Sequence, residues 1–595
     1  MQSHSFHIPV MGTGFTIDTP LKVARYGISS VISVGDDKLI EKIRRHYCEF
    51  YGEPYSEIPP SASDHRALRI QAYLDLVDRL VKRQVSELKS GTFDKQGPLA
   101  MYFEMMSDDS DLKKQYGRML QTSDSEERFR SEQFLREQVT AGSIDVNIMT
   151  KADRENMMNG EKLPREFSDA LSALRGFAKS TLSSSVVFSA GLNPYLYSYT
   201  TEFDDFYVDQ SGKSKKSIIL KVSDFRSASI QAKMLAKKGI WISEYRIESG
   251  LNCGGHAFPT AGHLMGPILE EFRTKKRDLA ASLFVSYRAA LLEKGRVCPE
   301  TAPSIRVTAQ GGVGTAAEHQ FLRRYYEVDS VGWGSPFLLV PEATTVDDDT
   351  LNKLAAADEN DIFLSNASPF GVPFYNLHGS ASEVTRLRRI DEGKPGSPCL
   401  SKYLAFNEEF GEPLCVSSSR YQSLKLNQLE SQGLSGEEFA KKREAVVEKA
   451  CICRNLGDGA LLKYGIPDEK KVLTPAVCPG PNLAYFSRIC TLKEMVQHIY
   501  GMTDVLDHSV PRAHFLLNEL KLYIDYLKKL ASEIRGKTSG KEVDHFKEFK
   551  TNLAAGIEYY RGLEGSILEE SKAAKEKFIS DLLALKAQLE GLETG

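Results

Sequence analysis

Eight short apolar segments constrain the fold of this 595-residue chain more than any other feature of its sequence. Strands that are apolar along their whole length are typical of a parallel sheet covered by helices. The amphipathic stretches between the segments fit such helices, and eight strands can close a barrel. We therefore predict an α/β fold, a (β/α)₈ TIM barrel with a helical insertion and a loop-rich, then α-helical C-terminal region. The segments are residues 6–11, 29–34, 144–149, 185–191, 217–223, 239–246, 304–310 and 328–333.

The strand pattern is interrupted once and then stops, which suggests four regions. Residues 1–36 and 140–345 carry the eight strands and are predicted to form the barrel. Residues 37–139 are charged, with apolar residues near helical spacing, and are either a helical insertion or a separate small domain. Residues 346–490 are rich in Gly, Pro, Ser and Cys and are predicted to form a loop-rich extension. Residues 491–595 are predicted to form a C-terminal helical hairpin.

The charge balance argues against two classes of partner. The 76 basic and 80 acidic side chains give a formal net charge of −4, whereas nucleic acid and membrane surfaces attract a cationic excess. We expect a small-molecule substrate, and a homo-oligomer or a partner on the C-terminal helices stays open. No segment has the pattern of a secretory leader or a membrane span. The nine cysteines, an odd number, predict free thiols in a cytoplasmic protein.

Two glycine turns follow the last two predicted strands. Glycines after a strand let backbone N–H groups approach an anion, and the next helix points its positive end at that anion. In barrels, the loops after strands 7 and 8 are the usual phosphate site. The sequence therefore predicts a bound phosphate group, and the alternative is two tight turns of an ordinary barrel. The turns contain Gly311, Gly312, Gly314, Gly332, Gly334 and Ser335.

The segment Cys253-Gly254-Gly255-His256 follows the sixth predicted strand. A histidine at the C-terminal end of a barrel strand lies where active sites occur. Its usual pKa of about 6.5 suits proton transfer at neutral pH, although a hydrogen-bonded structural histidine is the alternative. Cys253 could be a nucleophile, and the alternative is a small packing residue.

In this order, these segments resemble the nitronate monooxygenase family of FMN barrels, whose scaffold flavin-dependent enoyl reductases share. Those families carry an Ala-Gly-Gly-His segment, then an Ala-x-Gly-Gly-Ile/Val phosphate turn and a Gly-Thr/Ser turn. Here residues 253–256, 309–313 and 334–335 stand in those places. Pro9-Val10-Met11-Gly12 stands where the family's first strand ends in Pro-Met. The resemblance covers roughly residues 6–35 and 140–345.

The resemblance implies an FMN-dependent oxidoreductase of the monooxygenase or enoyl reductase type, with NAD(P)H open as electron donor. His256 would transfer a proton at the flavin, Cys253 is a second candidate acid, and Lys221 would stabilise negative charge on the reduced flavin. The glycine turns would hold the FMN phosphate. The remaining residues implied at the flavin are Met11, Gly12, Asn147, Gly254 and Gly255.

Three features leave the reaction open. The family usually has Glu-Ala before Gly-Gly-His, where this chain has Asn252-Cys253. Arg246 and Glu248 would bring charge to the pocket mouth, which favours a larger or anionic substrate, unless the two pair with each other. The aromatic segment 365–376 either lines the substrate pocket, as the resemblance implies, or is a proline-turn linker. The alternative function is a non-redox TIM-barrel isomerase or lyase that binds a phosphorylated metabolite.

The cysteines of the extension raise the question of a metal. Cys451-Ile452-Cys453 precedes Cys478-Pro479, and clustered thiols can hold an iron–sulfur cluster or zinc. The Cys-x-Cys spacing matches no common pattern of metal ligands. We therefore expect buried free thiols, with Cys451, Cys453 and Cys478 as weaker candidate ligands.

Overall fold

Eight parallel strands close into a barrel in the order β1-β8-β7-β6-β5-β4-β3-β2, which confirms the predicted fold class. The computed structural model describes residues 3–94, 97–158, 161–189, 191–534, 539–563, 565 and 572–593. The barrel strands are β1 (Phe6–Ile8), β2 (Ser29–Ser33), β3 (Ile144–Met149), β4 (Ser184–Ser189), β5 (Lys216–Val222), β6 (Ile242–Glu248), β7 (Arg306–Gln310) and β8 (Ser330–Gly332). Outside the barrel, β9 (Ile362–Ser365) pairs antiparallel with β10 (Phe374–Leu377), and Met157–Met158 pairs with Glu161–Lys162.

Helices surround the barrel and make up most of the remaining chain. In the range predicted as loop-rich, 346–490, there are five helices, and three of the four helices between residues 491 and 593 pack on one another (α18, α19 and α20). Within the described residues, no helix is long and apolar enough to cross a membrane. The helices are α1 (Thr19–Val23), α2 (Asp37–Tyr51), α3 (His65–Ser90), α4 (Pro98–Glu104), α5 (Asp111–Gln121), α6 (Ser125–Gln138), α7 (Asp169–Lys179), α8 (Pro194–Tyr199), α9 (Phe225–Ala236), α10 (Met265–Glu293), α11 (Ala316–Arg324), α12 (Asp348–Ala356), α13 (Ala381–Asp391), α14 (Ser419–Glu430), α15 (Gly436–Val447), α16 (Asn455–Lys463), α17 (Leu492–Ile499), α18 (Phe515–Glu533), α19 (Lys541–Gly562) and α20 (Lys572–Glu590).

The barrel interior is built from alternate residues of each strand, because successive side chains of a strand point to opposite faces of the sheet. In β6, Tyr245 points outward and its ring packs against Phe272 of α10, with 5.1 Å between the ring centroids. Glu244, Arg246 and Glu248 therefore point inward at three successive heights. Inward-facing residues of β2, β4 and β5 form a small apolar cluster of Val31, Val187 and Ile219.

Arg246 lies inside the barrel, which corrects the expectation that it brings charge to the pocket mouth or pairs with Glu248. Its guanidinium lies 2.7 Å from a Glu244 oxygen and 3.6 Å from an Asp145 oxygen. The reason is that β6 runs on to Glu248, two residues beyond its predicted end. Arg246 is therefore one inward position below the rim of the barrel, and Glu248 occupies the rim.

A buried ionic network joins the helices after β2 to the barrel and to the extension. Asp37, at the start of α2, binds Arg66 at 2.9 Å and Arg69 at 2.8 Å, both on α3. Arg66 also lies 3.7 Å from Asp169 at the start of α7. These two arginines outweigh burial and lower the pKa of Asp37 to about 2. Tyr403 of the extension donates its hydroxyl to this carboxylate at 3.0 Å.

Candidate active site

Polar side chains from five neighbouring strands meet at the C-terminal rim of the barrel. Each points into the barrel at or near the end of its strand, and the sheet register aligns Ser33 with Asn147 and Ser189 with Lys221. Together with Glu248 they border a cavity of about 330 Å³, a volume within the range of small-molecule sites. The position matches the end of the barrel at which active sites occur.

The extension forms the roof of this cavity. The segment 365–376, for which a pocket wall and a proline-turn linker were the alternatives, borders the cavity through three of its side chains. Three later stretches of the extension complete the roof, so residues far apart in the chain face one another across the barrel mouth. The roof residues are Phe370, Val372, Phe374, Tyr403, Leu404, Ile452, Cys453, Leu456 and Cys478.

A second, narrower chamber of about 80 Å³ adjoins the first. Gly12, Glu248, Gly254 and Gly255 line both, so the two chambers share a boundary. Seven of the residues that line the narrow chamber are glycines. Of the residues predicted at an FMN phosphate or flavin, it brings together Met11, Gly12, Gly254, Gly255, Gly311, Gly312, Gly332, Gly334 and Ser335.

The first glycine turn has a backbone that other residues rarely adopt. Gly311 and Gly312 have φ values of 141° and 71°, and a Cβ on Gly312 would lie 1.9 Å from Nδ2 of Asn252. Gly314 does not line the narrow chamber, because its N–H donates to Glu318 at 2.8 Å. The structure therefore separates Gly314 from the other predicted phosphate contacts.

A buried ion pair contacts this turn and stabilises it. Glu318 of α11 binds the two terminal nitrogens of Arg512 at 2.7 and 2.8 Å. Arg512 in turn donates to the carbonyl of Gly312 at 2.7 Å. Sequence reasoning missed this pair, although the capping box Thr315-x-x-Glu318 at the start of α11 is visible in the sequence.

Lys221 and Glu248 form an ion pair at the rim, with 2.6 Å between Nζ and Oε2. The amide of Gln310 donates to the other carboxylate oxygen of Glu248 at 2.7 Å. These three side chains come from the ends of β5, β6 and β7, which are neighbours in the sheet. Glu248 therefore holds the ammonium group of Lys221 at the edge of the main cavity.

His256 lies in the cavity wall between two aromatic rings of the roof. Its ring is 5.4 Å from that of Phe370 and 4.9 Å from that of Phe374. Its Nε2 is 2.7 Å from Oγ of Ser368. Burial, and then the charge of Lys221, lower the pKa of His256 to about 4. The imidazole is therefore neutral at pH 7.

Cys253 is held as a protonated thiol. Burial and then the neighbouring Glu248 raise its pKa well above the usual value for a thiol. Its Sγ donates to the carbonyl of Gln310 at 3.6 Å. Because the thiolate is the nucleophilic form of cysteine, this environment disfavours covalent catalysis by Cys253.

A buried carboxyl group of α18 supports the loop that carries Cys253 and His256. Glu519 accepts hydrogen bonds from the Ser249 hydroxyl at 2.5 Å, the Met265 N–H at 2.9 Å and the Tyr560 hydroxyl at 3.3 Å. Ser249 Oγ accepts the N–H of Asn252 at 3.0 Å. Burial raises the pKa of Glu519 to about 7. The C-terminal helices therefore help to position the loop.

Asn147 provides the test of whether a flavin fits this site. Its side chain is 4% exposed, and its Oδ1 has no hydrogen-bond partner, although it borders the main cavity. An unpaired buried acceptor is unfavourable unless a ligand or water supplies a donor. A flavin ring offers such a donor, and the glycine-lined narrow chamber offers backbone groups for a phosphate. The residues present therefore fit FMN.

The candidate metal ligands do not converge. Among the described residues, no group of three or more His, Cys, Asp or Glu side chains could hold a metal ion. All nine cysteines are free thiols. Cys478 accepts the N–H of Gly255 through its carbonyl at 3.1 Å, whereas Cys451 and Cys453 have Cys415 as an electrostatic neighbour.

No protein-family model and no curated protein matches this chain. Similar solved structures include the enoyl reductase domain of MlnA from the macrolactin biosynthesis cluster of Bacillus amyloliquefaciens (15% identity, covering 73% of this chain and 87% of that chain, TM-score 0.34). They also include FabK from Thermotoga maritima (16%, 68% and 85%, 0.28) and nitroalkane oxidase from Streptomyces ansochromogenes (11%, 64% and 85%, 0.29). At these identities and TM-scores, function has to be inferred from the residues of this chain.

Proposed function

We propose that this protein is an FMN-dependent oxidoreductase that acts on a small molecule bound at the C-terminal rim of the barrel. The observation that carries the proposal is the pair of adjoining chambers. One has the volume of a small-molecule site, and the other is lined by both glycine turns. A ligand with a planar ring and a phosphate at one end matches this shape. When bound, FMN supplies the transfer of electrons or hydride to and from the substrate.

The residues of the narrow chamber would hold the phosphate. Backbone N–H groups of the two turns and the hydroxyl of Ser335 are the donors, and Ser335 Oγ already accepts the N–H of Gly480 at 2.7 Å. Asn147 would pair its free Oδ1 with a donor of the flavin ring. Met11 and Gly12 border the same chamber and would contact the ring system.

His256 would transfer a proton at the reacting centre, and Lys221 would stabilise negative charge there. With a pKa lowered to about 4, the imidazole of His256 is unprotonated at neutral pH, so it can accept a proton, although only as a weak base. This favours proton removal from a substrate over proton donation to it. The ammonium of Lys221, held by Glu248, would stabilise negative charge at the rim. Cys253 has no chemical role in this proposal.

The proposal is tested by titrating the apo-protein with FMN and with riboflavin, which lacks the phosphate. Ser335→Asp puts a negative charge in the narrow chamber. At about 5 Å and an effective dielectric constant of about 20, each unit of phosphate charge is opposed by about 3 kcal/mol. FMN affinity should fall about a hundredfold or more, and riboflavin affinity should stay unchanged.

Ser335→Ala is the matched control, since it removes the hydroxyl without adding charge and should weaken FMN binding about tenfold or less. If Ser335→Asp binds FMN as the wild type does, the phosphate does not occupy the narrow chamber. If the wild type binds neither flavin, the proposed function is wrong. A phosphorylated metabolite in the same chamber would then remain as the alternative.

A further inference from the structure

A loop of the roof, residues 397–418, has its two ends held side by side. The N–H of Ser397 donates to the carbonyl of Ser417 at 3.0 Å, and the N–H of Ser419 donates to the carbonyl of Ser397 at 3.0 Å. Gly396 precedes the loop with a φ of 77°, and a Cβ there would lie 2.7 Å from the Ser419 nitrogen. The backbone therefore closes the neck of this loop without any covalent bond.

Two cysteines face each other just inside the neck. Cys399 and Cys415 lie two residues inside the paired Ser397 and Ser417, and their thiols are close enough for each to shift the pKa of the other. Cys415 Sγ lies 3.1 Å from Oγ of Ser417. Cys399 is partly exposed, whereas Cys415 is 3% exposed. The pair is thus reachable from solvent on one side and packed on the other.

The surroundings of the pair make one of its sulfurs reactive. The pKa of Cys415 is lowered to about 6, because Cys399, and then Ser417, offer hydrogen bonds to its thiolate. The two thiols share the proton that remains, so removal of that second proton is correspondingly harder. A thiolate beside a second thiol is the arrangement found in reversible redox pairs.

We propose that Cys399 and Cys415 are a site of reversible thiol oxidation that closes a disulfide across the neck of this loop. The oxidant is a low-molecular-weight disulfide. Transfer of the shared proton from Cys399 to Cys415 leaves the thiolate on the exposed Cys399, which attacks one sulfur of that disulfide, breaks its S–S bond and releases one small thiolate. The Cys415 thiol then attacks the mixed disulfide on Cys399, and the remaining half of the small disulfide leaves as a thiol. The two cysteines lose two electrons, and the external disulfide gains them.

The disulfide would restrict the movement of part of the cavity roof. Tyr403 and Leu404 lie between the two cysteines and border the main cavity. The Tyr403 hydroxyl also donates to Asp36 and Asp37 at the start of α2. Closing the neck therefore restricts the opening of the loop that carries these two side chains. This effect does not depend on which ligand the cavity holds.

The test is to equilibrate the folded, full-length protein with oxidised and reduced glutathione and to map its thiols by alkylation and mass spectrometry. We expect two of the nine thiols to be lost together and one disulfide to join Cys399 to Cys415. Proteolytic cleavage within residues 400–414 should slow about tenfold or more, and dithiothreitol should reverse this. Cys399→Ser and Cys415→Ser should abolish both effects.

Cys298→Ser is the control, because Cys298 is another partly exposed thiol outside this loop and its loss should change neither effect. The proposal fails if all nine thiols stay free in the oxidising buffer. It also fails if the disulfide joins Cys451 to Cys453 instead. Zinc or iron bound by these thiols in the purified protein, with protection from alkylation, would overturn it as well.

Discussion

Replacing Glu318 by glutamine should destabilise the first glycine turn far more than the loss of a surface charge would. Glu318 is 1% exposed and accepts hydrogen bonds from the N–H groups of Gly314 (2.8 Å), Thr315 (3.2 Å) and Phe515 (2.8 Å), besides binding Arg512. Removing one partner of a buried ion pair leaves the other charge uncompensated and costs about 3–5 kcal/mol. We therefore expect Glu318→Gln to lower the free energy of unfolding of this region by about that amount.

The stability contributed by Glu318 should also depend on pH. Arg512 holds the pKa of Glu318 below its usual 4.5, in spite of burial. A group with a lowered folded pKa contributes stability above its unfolded pKa and loses this contribution as the pH falls through the folded pKa. The wild type should therefore lose stability below about pH 4.5 through this group, and Glu318→Gln should not.

Hydrogen exchange at the Gly314 and Phe515 amides measures this region directly, and thermal unfolding measures the whole chain. The matched control is Glu271→Gln, because Glu271 pairs with Lys275 at the surface and is 38% exposed. Glu271→Gln should lower the free energy of unfolding by about 0–1 kcal/mol. If Glu318→Gln lowers the free energy of unfolding no more than this control does, the ion pair of Glu318 and Arg512 does not stabilise the first glycine turn.

Two further predictions concern the loop of His256. His256→Ala should leave FMN bound while slowing turnover about 10²- to 10⁴-fold, and loss of the flavin instead would show a structural role. Glu519 has a pKa raised to about 7, so the wild type should lose stability as the pH rises from about 4.5 to about 7. Glu519→Gln should remove this loss of stability with rising pH. If the free energy of unfolding of the variant depends on pH as that of the wild type does, Glu519 is not in the buried environment of the structure.

The barrel could be predicted from the sequence because its strands are nearly continuous apolar runs, and each of the eight predicted segments overlaps an observed strand. The ends of strands were harder to predict. Charged side chains at every second position, Glu244, Arg246 and Glu248, lie on one face of β6. That spacing indicates an inward-facing polar column, but it does not say which residue reaches the rim. The predicted end of β6 was two residues too early, and this error placed Arg246 at the pocket mouth.

The roof and the supports of the site could not be predicted, because they depend on contacts between distant segments. Tyr403 and Cys453 lie in a stretch without regular strand or helix patterns, and only the folded chain brings them over the barrel. Arg512 and Glu519 look like ordinary charged residues of the C-terminal region. Their partners, Glu318 and Ser249, are 194 and 270 residues away in the sequence.

The central claim, that the two chambers hold FMN, is tested most directly by the visible absorption spectrum of the purified protein and the identity of any released chromophore. We predict the spectrum of an oxidised flavin and the release of FMN, rather than riboflavin or FAD, in about equal amount to the protein. A colourless protein that takes up no FMN on reconstitution would contradict the account.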